Sequence, residues 1–184
     1  PAMAIALNNL AEFYLNQGRI DDAEPLYLKA LNISRKTLGE DHPRLGLNWL
    51  NLGRLYLESE RLEEADFALA EANHLIADAF DAHHPWQIDL NRSTAVLRLQ
   101  QGHLEAAEAL GRKAHADAEA HFGPDHSLTA SSTEVWGQIQ AALGQTLEAD
   151  RLLTEAYRIH RTAHGESHPE TVKFCGSYPA ICAG

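Results

Sequence analysis

Cysteine is nearly missing from the 184 residues. The two present, Cys175 and Cys182, both fall in the C-terminal tail, so no disulfide framework spans the chain. Basic residues are also scarce: 15 Lys and Arg stand against 26 Asp and Glu, for a formal net charge of −11. No segment is basic, which argues against nucleic acid and anionic membrane surfaces as partners. No apolar run approaches the roughly 18 residues a membrane span needs, and no signal-peptide pattern opens the chain. A cytoplasmic protein is the default reading. Catalytic signatures are missing too: there is no phosphate loop, nucleophile elbow, HExxH or repeated-carboxylate pocket. No enzymatic activity and no cofactor are expected.

What the chain does have is a repeat. His42, His84, His126 and His168 share one spacing, and Pro43, Pro85 and Pro169 follow three of them, with Ser127 in the remaining place. Ala23, Ala65, Ala107 and Ala149 form a second column, and Ala30, Ala72, Ala114 and Ala156 a third. Ala11, Gly53, Ala95 and Gly137 form a fourth that is always small. A fixed period of this size is the signature of a solenoid, whose units bury their apolar faces only against one another.

Each unit reads as two helices. Leu7, Leu10, Ala11, Tyr14 and Leu15 fall on one helical stripe, and Ile20, Ala23, Tyr27, Ala30 and Leu31 on a second. Gly18 suits the turn between them, Gly39 a helix stop, and Pro43 the start of the next helix, where a missing N–H costs nothing. The small columns mark where paired helices cross closely. A histidine repeated at every junction serves the turn, its ring nitrogens free to bond main-chain groups. Trp49 falls in the Leu7 column and reads as core. The acidic run Glu58, Glu60, Glu63, Glu64, Asp66 and Glu71 reads as a solvated helix face.

The pattern resembles the tetratricopeptide repeat (TPR), in the longer subclass found in kinesin light chains. Leu7, Leu10, Ala11, Tyr14, Gly18, Ala23, Tyr27 and Ala30 carry the likeness, and the run Leu38-Gly39-Glu40-Asp41-His42-Pro43 marks the subclass. Arg98 and Gln140 depart from it where Tyr14 and Tyr56 stand, Glu60 departs at the Gly18 position and Thr146 at the Ile20 position. The resemblance implies an all-α, right-handed α-solenoid of four antiparallel helix pairs over 1–42, 43–84, 85–126 and 127–168. A partial fifth helix, 169–174, and an irregular tail, 175–184, would form a short C-terminal cap. The extra length over the usual unit of about 34 residues is expected to lengthen each second helix by about two turns. Pro1 aligns with Pro43, so the chain reads as beginning at a repeat start, with an uncapped first helix that exposes apolar surface.

The resemblance also implies a function: binding a peptide or protein segment in a concave groove lined by the first helices. The residues this places on the groove are Asn8, Asn9, Glu12, Asn16, Asn51, Arg54, Arg92, Glu134 and Gln138. An amide both donates and accepts, which suits an extended peptide. Arg54 and Arg92 either form a basic spot that reads carboxylates or pair with neighbouring acids. A regulatory segment of a larger signalling protein, binding that protein's own segment, is the alternative. More remote are an enzyme fragment and a metal-binding module. For the last, His160 and His164 have the i, i+4 spacing that can bind Zn²⁺, with His168 or Glu166 near but no obvious third ligand, so no metal is expected. His103, His115 and His121 have no ligand spacing. Pro179 falls in the small column and should break the fifth helix; Cys175 and Cys182 could bridge across it.

Overall fold

The computed structural model describes residues 2–183; Pro1, with the expectation attached to it, and Gly184 lie outside the described residues. Those residues form ten helices and no strand: α1 (Ala2–Asn16), α2 (Ile20–Leu38), α3 (Arg44–Glu58), α4 (Leu62–Ile76), α5 (Pro85–Gln100), α6 (Leu104–Phe122), α7 (Ser127–Ala142), α8 (Thr146–His164), α9 (Pro169–Ser177) and α10 (Pro179–Cys182). The fold class is the expected all-α one, of solenoid type. The chain divides into two compact units, one ending at Leu97 and one starting at Arg98. That boundary falls in the last turn of α5 and not at a repeat junction.

In the first unit, α1 packs on α2, α2 on α3 and α3 on α4. One core runs through it, including Tyr27, Leu50, Leu55, Leu69, Ile76, Leu90 and Leu97. Each such side chain contributes about 1.5–3 kcal/mol by leaving water. The small columns do what their size implies. Ala11, Ala23, Ala30, Ala65 and Ala72 are fully buried. A Cβ on Gly53 would stand 2.7 Å from Leu69 Cδ2, so α3 and α4 touch there with no room for a side chain. Trp49 is half-buried against this core, edge-on to Phe67 at 5.6 Å. Glu58, Glu60, Glu63 and Glu64 are exposed, as a wet face requires. At the start of the unit α1 leaves Met3, Ile5, Leu10 and Phe13 exposed.

In the second unit α6 packs on α7, α7 on α8 and α8 on α9. Gly137 is its close-crossing position, where a Cβ would meet Leu153 Cγ at 2.9 Å. Leu153, Ala156 and Phe174 form a core with Tyr157, Tyr178 and Ile181 packed on it, which joins α9 and α10 to α8.

The turns explain one departure from expectation. α2, α6 and α8 each run 19 residues and end on Gly39, Gly123 or Gly165 at positive φ. α4 runs only 15 and stops at Ile76. Its repeat has Asp81 in the glycine column, and an L-residue does not take that left-handed stop without strain. The chain instead leaves the helix at Ala77, and Phe80 stacks on His84 and meets Trp86 edge-on. The second helix is therefore lengthened in three repeats and not in this one.

The junction histidines share one role. Nδ1 of His42, His84, His126 and His168 accepts the main-chain N–H of Arg44, Trp86, Leu128 and Glu170, at 3.1–3.3 Å. Each satisfies an otherwise free donor at a helix start. The tail departs from the irregular form expected of it. α9 continues to Ser177, past Phe174, and Pro179 then ends it by opening α10.

Candidate functional site

In the first unit, polar side chains cross α1, α3 and α5 in one connected line. Glu12 on α1 accepts through both oxygens: Tyr27 Oη donates to Oε2 at 2.8 Å, and Arg54 Nη2 on α3 donates to Oε1 at 2.9 Å. Arg54 Nη1 lies 3.9 Å from Asp89 Oδ2 on α5. Asp89 in turn accepts from Arg92 one turn along, through Nε at 2.9 Å and through Nη2. Asp89 and Arg92 are 18% and 17% exposed, Arg54 and Glu12 29% and 34%. The line is sheltered without being closed.

Its electrostatics follow from this pairing. Burial works to lower the Arg54 pKa, but Asp89 and Glu12 more than offset it and hold the guanidinium firmly charged. Burial pushes the Asp89 carboxyl up, yet Arg92 and Arg54 hold it below its ordinary value. Tyr27 is driven well above the usual phenol range by burial first and by Glu12 second.

Of the two readings left open for Arg54 and Arg92, pairing with acids is the one observed. There is no free basic spot, because Glu12 and Asp89 take up both guanidinium groups. Asp89 was not legible as a partner: its column otherwise holds Ile5, Leu47, Ser131 and Lys173. Tyr27 was legible as core but not as a hydrogen-bond donor. The other groove residues separate. Asn9 and Asn16 are exposed on α1 and Asn8 is half-buried, with its Oδ1 enclosed and unbonded. Asn51, the counterpart of Asn9, is 8% exposed. On α5, Gln87 Oε1 and Asn91 Nδ2 are likewise enclosed without a hydrogen bond.

Glu134 and Gln138 lie on α7 in the second unit. Gln138 Nε2 donates to Tyr178 Oη at 2.7 Å and stands 3.4 Å from Glu134 Oε1. Glu134 Oε2 is 3.5 Å from His160 Nε2. Gln138 thus meets the C-terminal cap at Tyr178 and Glu134 meets α8, which sequence columns alone did not indicate. Cys175 and Cys182 are bridged across Pro179, with their Cα atoms 5.7 Å apart. His160 and His164 are brought together with Glu170 and not with Glu166; the three ligand atoms lie within 4.8 Å of one another, and the His168 ring stacks on His164 at 4.3 Å. Glu166 is turned outward beside Arg161, 75% exposed.

Stacked helix hairpins with small crossing columns define a helical repeat protein. Two tetratricopeptide repeat family models match the chain, one over residues 2–72 and the other over 95–128 and 137–170. The chain belongs to the tetratricopeptide repeat family. Two crystal structures of nearly identical TPR-like repeats, of kinesin light chain type, from Podosopora anserina share its fold. One superimposes with a TM-score of 0.69 at 20% identity, covering 97% of this chain and 94% of that one. A single-substitution variant of those repeats gives 0.67 at 21%, covering 97% and 84%. The human (Homo sapiens) clustered mitochondria protein homolog is 25% identical over 172 residues, which is 90% of this chain. The chain spans 13% of that relative's length. Repeats of this family generally mediate protein–protein interaction, and no described helix is long and apolar enough to cross a membrane.

Proposed function

We propose that the chain binds a protein or peptide segment on the surface formed by α1, α3 and α5 of the first unit. The observation that carries this reading is the line of charge from Glu12 through Arg54 and Asp89 to Arg92. It leaves carboxylate and guanidinium edges exposed while fixing their positions, so a binding segment meets them without ordering them first. Asn9 and Asn16 flank the line with exposed amides that can donate to and accept from an extended main chain. Because the guanidinium groups are already matched, recognition rests on alternating charge and hydrogen bonding, and not on general attraction of an acidic peptide.

The test begins with capture of partners by the full chain and mapping of the retained segment. Affinity for that segment is then measured with Asn9→Ala, Asn16→Ala and Arg92→Ala, and with Lys29→Ala on α2 as control. Loss of at least about tenfold in the first-helix variants, with the control unchanged, is expected of a central contact. Equal affinity in all four places the partner on another face.

A further inference from the structure

The most unusual cluster lies in the second unit, where α7, α8 and α9 meet. His160 and His164 stand one turn apart on the same face of α8, and Glu170 is the second residue of α9. His160 is 3% exposed, and both its ring nitrogens are enclosed with no hydrogen-bond partner; His164 Nε2 is in the same state. Carboxylate oxygens are close, Glu170 Oε2 at 3.2 Å from His164 Nε2 and Glu134 Oε2 at 3.5 Å from His160 Nε2, without meeting hydrogen-bond geometry. Enclosing three such nitrogens without partners is costly, and native interiors rarely leave them so.

A cation resolves the mismatch. Zn²⁺ takes imidazole nitrogen and carboxylate oxygen at roughly 2.0–2.2 Å, so two ligands of one tetrahedral ion stand about 3.3–3.6 Å apart. The His164–Glu170 separation, 3.2 Å, is just short of that, and the three ligand atoms lie within 4.8 Å of one another. A donor set of two imidazoles and a carboxylate suits zinc-class ions and not Mg²⁺ or Ca²⁺, which demand oxygen. His168 stands outside the converging group: its Nδ1 accepts the Glu170 N–H and its ring stacks on His164 at 4.3 Å, which orients the neighbouring ligands. The geometry points to a Zn²⁺ site formed by His160, His164 and Glu170, with Glu134 adding negative charge beside His160. The ion would clamp α9 onto α8 and so hold the cap in place.

The test is calorimetric titration of the full chain with ZnCl₂, with MgCl₂ as the counter-ion control and thermal unfolding followed alongside. One Zn²⁺ per chain and a rise in Tm with zinc alone are expected. His164→Ala and Glu170→Gln weaken binding by more than about 100-fold, beyond the 10–100-fold that losing an outer partner costs. His103→Ala, an exposed histidine elsewhere, leaves it unchanged. Glu170→Gln keeps shape and so keeps the fold, which circular dichroism checks; Co²⁺ in place of zinc gives a tetrahedral d–d spectrum in the wild type and not in Glu170→Gln. An absence of heat, or equal affinity across wild type and both ligand variants, overturns the site.

Discussion

Arg54 on α3 donates to Glu12 on α1 at 2.9 Å, and the two residues are 42 apart, which is one repeat. They occupy the same column, so the repeat itself aligns opposite charges on neighbouring first helices. Replacing Arg54 by Met leaves both Glu12 and Asp89 short of a partner. The expected loss is about 1–2 kcal/mol, below the 3–5 kcal/mol of a fully buried pair because Arg54 and Glu12 are each about a third exposed. Urea unfolding of Arg54→Met, Glu12→Gln and the double variant should give a coupling energy near 1 kcal/mol. Simple additivity would mean the pair contributes nothing.

Asp89 makes the first unit sensitive to acid. Arg92 and Arg54 hold its carboxyl below the ordinary value despite burial, so the proton binds more tightly in the unfolded chain. The stability this gives is complete above about pH 4, where an unfolded aspartate is ionised, and is lost as pH falls through the lower folded value. Asp89→Asn should flatten the dependence of stability on pH in that acid window. A slope identical to the wild type would assign the effect to other carboxylates.

The architecture was readable because it rests on residues whose size or backbone freedom has no substitute. Ala11, Gly53, Ala95 and Gly137 must be small, and Gly18, Gly102 and Gly144 take a positive φ that other residues resist. The histidine column was readable as a turn element for the same reason: one geometry, repeated. The site was less readable because its contacts join different columns. Asp89 and Glu170 each complete a cluster from a column with no acidic pattern, and only packing brings them to Arg54 and His164. α4 shows the intermediate case: Asp81 stands in the glycine column, yet that substitution alone does not say that the helix retreats to Ile76.

Glu60 is the non-glycine described residue at positive φ, 57°, in the column where the other repeats have glycine. An L-residue there is strained by about 1–2 kcal/mol. Glu60→Gly relieves the strain and gives back part of it as unfolded-state entropy. A net gain of about 0.5–1 kcal/mol is expected, seen as a higher Tm. A lower Tm would mean the Glu60 side chain supplies more than the backbone loses.

Gly137 tests the close crossing of α7 and α8. A methyl there meets Leu153 Cγ at 2.9 Å and Leu152 Cβ at 3.3 Å. The helix propensity of alanine favours Gly137→Ala by about 1 kcal/mol, but overpacking costs about 1–3 kcal/mol. The crossing should win, since one contact is a Cβ that cannot rotate away. Net destabilisation by denaturant unfolding is expected, whereas Gly176→Ala, with open space around it, should be neutral or stabilising.

The Cys175–Cys182 bridge closes a loop with a sequence separation of 7. Restricting so short a loop in the unfolded chain is worth about 2 kcal/mol. The cap has other ties: Phe174 is buried against α8, and Tyr178 Oη accepts from Gln138. Reduction should therefore loosen α9 and α10 without releasing them. Hydrogen exchange under reducing conditions is expected to speed up across residues 169–183 and stay unchanged in α1 to α4. Uniform protection in both redox states would show that Phe174, Tyr178 and the histidine cluster hold the cap without help from the bridge.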